Sequence, residues 1–246
     1  MRRTTYGLGA AAMTAALLLA GCGAGGAPER DTAGTSPATK TTRVAVNGIL
    51  AKPAKEIVSA AAAAFRSARS VRVNLTADDA NGSTRMDLKL TRKKEAAGWI
   101  ENEGVRIDII AVAGGTVYMK SRKLWEQVGG AEAAKLIGDR WVRMPLGKAG
   151  ELTPFIEDLT IRGLADNIFS PKDTPMFVRK SGATMGGRPA VRLQALDGSY
   201  YVAATGKPYP LLLDSKGKND VGFSQYDQDF AIKAPPDALD FDKLQG

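Results

Sequence analysis

The chain has 246 residues, with 34 Lys and Arg against 26 Asp and Glu, a formal charge of +8, no histidine and one cysteine. The lack of histidine removes the commonest general base and the commonest metal ligand together, and one cysteine cannot form an internal disulfide. No catalytic residue, metal or cofactor is therefore expected, and the chain reads as a non-enzymatic protein.

In chain order, Met1-Arg2-Arg3 is a short positive segment, and the stretch from Leu8 to Ala20 is apolar and uncharged. It is too short to span a bilayer and has the flanks of a signal peptide. Leu17-Leu18-Leu19-Ala20-Gly21-Cys22 follows the order of an apolar run, two small residues and a cysteine. It resembles the lipobox of bacterial lipoproteins. That resemblance implies a diacylglycerol on the Cys22 thiol and cleavage after Gly21, so that residues 1–21 are removed. Loss of Arg2 and Arg3 takes the charge from +8 to +6. The expected location is the outer face of the cytoplasmic membrane, anchored through acylated Cys22. There a basic chain is drawn to anionic headgroups within a Debye length, and export separates it from nucleic acid. Residues 22–48, rich in Gly, Ala, Thr and Pro, are too poor in large apolar side chains to order themselves. They read as a flexible tether reaching on the order of 30 Å on average.

Residues 49–246 suffice for one domain with a sizeable core. Pro53 suits the start of a helix. Ile57, Ala61, Phe65 and Ala68 recur at helical spacing, which predicts an amphipathic helix over about 53–68. The period then becomes two. Val71, Val73 and Leu75 form one strand, Met86, Leu88 and Leu90 a second, and Trp99-Ile100 a third. Val105, Ile107 and Ile109 form a fourth, and Val117-Tyr118-Met119 a fifth. Turns are expected at Asn81-Gly82, Glu103-Gly104 and Gly114-Gly115. Two short helical pieces around Gly129-Gly130, a strand Trp141–Met144 closed by Pro145, and helix over 150–169 follow. Five strands return after Pro175, at Phe177-Val178, Val191 and Leu193, Tyr200 to Ala203, Leu211 and Leu213, and Val221 to Tyr226. The pattern predicts an α+β domain with one large curved antiparallel sheet.

Several segments in this order resemble the LppX/LprG-type actinobacterial lipoproteins, which share the LolA/LolB carrier fold. A lipobox, tether and helix precede the meander. Asp108-Ile109-Ile110 then runs into Gly115-Thr116-Val117-Tyr118-Met119-Lys120. Trp125 and Gly138-Asp139-Arg140-Trp141-Val142-Arg143-Met144-Pro145 come next. Late in the chain stand Tyr201-Val202-Ala203, Gly206-Lys207-Pro208-Tyr209-Pro210-Leu211, Phe223-Ser224-Gln225-Tyr226 and Ala234-Pro235-Pro236. The resemblance covers about residues 50–246. It implies a half-barrel sheet wrapping helices, an apolar cavity between them, and binding of the acyl chains of a lipid, glycolipid or lipoprotein.

Hydrocarbon needs a concave apolar surface, and each buried CH₂ is worth about 0.8 kcal/mol. Candidate wall residues are Trp99, Ile107, Ile109, Val117 and Met119 on the middle strands. Met144, Phe155, Ile156 and Leu159 are placed opposite them. A dry core and a lipid-filled one need the same residue types. An envelope interaction or sensor protein with a self-filled core therefore remains the alternative, with a protein partner in the envelope. Arg92-Lys93-Lys94 and Arg122-Lys123 are expected near strand ends, either as solvated turns or at the cavity mouth. Ser215-Lys216-Gly217-Lys218 lacks the helix and partner motifs of penicillin-recognising enzymes. Gly21 to Gly26 matches a dinucleotide fingerprint but follows no strand.

Overall fold

In a computed structural model, the helix expected near 53–68 spans Ala54–Ser67 (α1), with Pro53 at the residue before it. Residues 45–79, 82–169, 175–216 and 219–244 are described, all within the unit 43–246. The expected signal peptide, Cys22, the expected tether up to residue 44, Asn81 and Gly217 lie outside the described residues. Among the described residues no helix is long and apolar enough to cross a membrane.

The five predicted strands of the first half are β1 (Ser70–Asp79), β2 (Gly82–Thr91), β3 (Ala96–Asn102), β4 (Val105–Val112) and β5 (Thr116–Lys120). Each is antiparallel to the next. Helix α2 (Arg122–Ile137), β6 (Val142–Pro145), α3 (Thr153–Asp158) and α4 (Ile161–Ile168) follow. A second meander is built of β7 (Phe177–Met185), β8 (Arg188–Ala195), β9 (Ser199–Ala203), β10 (Pro210–Asp214) and β11 (Asn219–Ser224). β11 zips antiparallel onto β1 and joins the two meanders into one sheet. A short β12 (Leu239–Asp240), which the sequence pattern does not reveal, pairs parallel with β6. The order across the sheet is β12-β6-β5-β4-β3-β2-β1-β11-β10-β9-β8-β7, so the sheet is large, curved and unclosed. Each strand pair adds roughly 20–25° of twist, and open sheets of more than about ten strands curl.

Alternation turns this curl into a trough with an apolar floor. One row of cross-strand partners reads Phe223, Val73, Leu88, Gly98, Ile109, Met119 and Val142. A parallel row reads Val71, Leu90, Ala96, Ala111, Val117 and Met144. Helix α1 lies in the trough and buries Ile57, Val58, Ala61, Ala62, Ala64 and Phe65. The Phe65 ring meets Phe223 at 5.3 Å, Phe169 at 5.7 Å and Tyr226 at 6.3 Å.

The segment after β11 is tied down where α1 passes into β1. Asp227 accepts from the Arg69 backbone N–H at 2.7 Å and the Tyr209 hydroxyl at 2.6 Å, and Lys207 Nζ lies 3.3 Å from it. Tyr209 stacks on Tyr226 with centroids 3.9 Å apart. Burial raises the Asp227 pKa, but these three partners outweigh it and hold the carboxyl at about 2, below its ordinary 3.8. A depressed carboxylate contributes stability that is complete above the unfolded value and is lost as pH falls through the folded one. Asp227→Asn is therefore expected to cost about 1 kcal/mol at neutral pH, allowing for partial solvent screening. It should also flatten the stability profile between about pH 4 and 2. Urea unfolding of both proteins across that range checks this, and parallel acid limbs would refute it.

Candidate functional site

Helices α2, α3 and α4 close the half of the trough floored by β3 to β6. α2 starts at Ser121, whose hydroxyl accepts from the Leu124 N–H at 3.2 Å. It breaks at Gly130, where φ 77° and ψ −178° leave the helical region. The break falls where Gly129-Gly130 predicts it. The two pieces bury Trp125 on one side and Ala134 and Ile137 on the other. α4 is capped by the Thr160 hydroxyl, which accepts from the Gly163 N–H at 2.9 Å. The Arg66–Asp166 ion pair, at 3.0 Å, holds α4 against α1.

The short α3 stands between three hollows. The first, about 220 Å³, lies between α3 and β3–β4 and is walled by Ile100, Ile107, Ile109, Leu152, Phe155 and Ile156. The second, about 530 Å³, lies between α2, β5–β6 and the C-terminal turn, with Met119, Leu124, Trp125, Met144, Leu152 and Phe241 around it. The third, about 970 Å³, is at the opposite end of the strands. It has Val117, Ile156 and Leu159 at its base and Arg66, Lys93, Lys94, Glu157 and Asp158 around its mouth. Leu152 borders the first two hollows and Ile156 the first and third.

Eight of the nine candidate wall residues meet here. Ile107, Ile109, Phe155 and Ile156 border the first hollow, Met119 and Met144 the second, and Val117 and Leu159 the third. Phe155, 40% exposed, sits at the rim, whereas Ile109, Val117, Met119, Met144, Ile156 and Leu159 are buried. Trp99 does not join them. It pairs with Asp87 and Asp108, on the outer face of the sheet, while its neighbour Ile100 points into the trough. The Arg106 guanidinium covers the Trp99 ring at 4.4 Å. The charges of Glu95 and Glu101, in phase with Trp99, carry the signal for this face.

Arg92-Lys93-Lys94 does reach the mouth of the third hollow. Arg92 is already engaged there, donating to the Ser67 and Ala68 carbonyls at the end of α1. Arg122-Lys123 is elsewhere, with Lys123 Nζ donating to the Gly104 carbonyl at 3.1 Å. Sequence reasoning places Leu124, Trp125 and Leu152 on helical segments without assigning them to the site. Their signal is the apolar stripe itself, which does not say which hollow a helix covers.

No protein-family model matches the chain, and no curated protein matches it. Among solved structures the chain is similar to the crystal structure of LprF from Mycobacterium bovis. Identity is 14%, the match covers 74% of this chain and 96% of that chain, and the TM-score is 0.48. The fold described above stands on its own strand order and register.

Proposed function

We propose that the chain is a membrane-anchored extracytoplasmic lipoprotein that takes up acyl chains of a lipid, glycolipid or lipoprotein between α2–α4 and the inner face of β3–β6, and carries or presents them. The observation that carries this reading is the run of adjoining hollows with apolar walls at Ile107, Ile109, Met119, Met144 and Leu152. Volumes of about 220 and 530 Å³ together lie in the usual range for small-molecule sites. About eight methylenes withdrawn from water there would supply on the order of 6 kcal/mol before ordering costs. Met119 and Met144, on the neighbouring strands β5 and β6 and so side by side and not opposite one another as the sequence suggested, give the wall side chains that adapt to a flexible chain. The mixed charges of Lys93, Lys94, Glu157 and Asp158 leave the third hollow wet and suited to a polar head.

Native mass spectrometry of the full chain carrying Cys22→Ser tests the reading, because any lipid then found is cargo rather than anchor. Co-purified lipid, or saturable uptake of a fluorescent fatty acid, is the expected result. Absence of both, with a crosslinked envelope protein instead, would favour a self-filled interaction domain. Leu152→Trp fills the junction of the two apolar hollows. Excluding two or three methylenes there costs about 2 kcal/mol of binding, so fatty-acid affinity is expected to fall about thirtyfold. Probe titration against both proteins measures it, with circular dichroism checking that the fold is intact. Unchanged affinity would place the chain elsewhere.

A further inference from the structure

The two ends of the strands differ in charge. Where β2 turns into β3 and β9 into β10, the hairpin turns carry Arg92, Lys93, Lys94 and Lys207; Arg188 follows the Gly186-Gly187 turn, and Arg69 precedes β1. All are exposed. Antiparallel pairing from β3 through β1 and β11 to β7 places them at one end of the sheet. The described hairpin turns at the opposite end, with Glu103, Asp197 and Lys216, have no such excess of cations. Several carboxylates at the basic end are already engaged, Asp227 by Lys207, Asp166 by Arg66 and Glu95 by the Thr91 hydroxyl. Glu157 and Asp158 stand on the helical side of the third hollow, and Lys93 and Lys94 on its strand side. Among the described residues Lys93, Lys94 and Arg188 have no ion-pair partner.

The described chain begins at this same end. Val46 bridges Thr205 in the β9–β10 turn, and the Asn47 backbone N–H donates to the Ala204 carbonyl at 2.8 Å. The Asn47 side-chain amide donates to the Ala203 and Gly206 carbonyls at 3.0 Å each. A tether running back to Cys22 therefore leaves from the basic end, and the domain lies on that end without the chain passing around it. The mouth of the 970 Å³ hollow opens there as well.

We propose that this basic end is a docking surface for an anionic bilayer, and that it sets the mouth of the third hollow against the headgroups. A lipid then passes between membrane and hollow without crossing open water. The proposal goes beyond the acyl-binding reading and takes from it only the anchor at Cys22.

The test uses the processed chain, residues 22–246, carrying Cys22→Ser, so that neither the signal segment nor the acyl anchor holds it to lipid. It is expected to bind phosphatidylglycerol vesicles, to release as salt rises, and to ignore phosphatidylcholine vesicles. Lys93→Gln with Lys94→Gln should weaken binding about thirtyfold, the worth of two cations at an anionic surface. Arg122→Gln with Lys135→Gln, on α2, removes the same charge and should weaken it less than about threefold. A second measurement leaves every cation in place. Cys22→Ser removes the one native thiol, so a dye can be fixed at Ala113→Cys, in the β4–β5 turn of the basic end, or at Leu196→Cys, in a turn of the opposite end. Headgroup-labelled quencher lipid should quench the first dye and not the second. No binding to phosphatidylglycerol, equal losses in the two double variants, or stronger quenching at Leu196→Cys would each overturn the proposal. None of these results touches acyl-chain uptake, which the fatty-acid titration decides.

Discussion

Phe65→Ala is expected to lower the unfolding free energy by roughly 3–5 kcal/mol, the range for removing a buried aromatic ring. Phe65 is fully buried, and three elements meet on its ring. Phe223 of β11 approaches it edge-on at 5.3 Å, Phe169 after α4 at 5.7 Å, and Tyr226 beyond β11 at 6.3 Å. The ring therefore fastens α1 and the end of α4 to the strand that joins the two meanders. Phe223 cannot collapse into the space without leaving its strand. Total stabilities of about 5–15 kcal/mol make this a large fraction. Urea denaturation followed by circular dichroism measures it, and a loss below about 1 kcal/mol would show that the ring cluster does not hold the two halves together.

The second large effect is expected at Gly98→Ala, with a loss of roughly 3 kcal/mol or more. Gly98 lies in the middle of β3, between Leu88 and Ile109 in the apolar row. Its φ of +154° is one that side-chain-bearing residues rarely adopt. A Cβ there would stand 2.0 Å from the Asp87 carbonyl oxygen on the neighbouring strand, so β2 and β3 would have to separate. Gly222→Ala in β11 is the control, because a Cβ at that position meets nothing within 4 Å. It is expected to change stability by less than about 1 kcal/mol. Similar losses in both variants would remove the steric explanation for Gly98.

Much of the architecture was legible because its signals are local. The helical spacing of Ile57, Ala61 and Phe65 located α1, and the alternation from Val71 to Met119 located five strands in their order. Gly129-Gly130 marked the break in α2. The site was legible as a set of side chains but not as an arrangement. Leu124, Trp125 and Leu152 belong to apolar stripes that would look the same over any part of a sheet.

What the sequence alone determined is which segments are helix or strand and where the chain turns, since these depend on spacing and turn residues within a few positions. The expectation of a lipobox ending at Cys22 rests on a local pattern of the same kind. What only the tertiary structure decided is which face of each strand looks inward and which distant segments meet. Alternation says that a strand has two faces but does not name the buried one, so Trp99 and Ile100 exchange places once the partners on β2 and β4 set the register. The pairing of β1 with β11 and the parallel β12 arise between residues far apart in the chain. Contacts of that kind are chosen by packing the whole trough together, and no short window of sequence contains them.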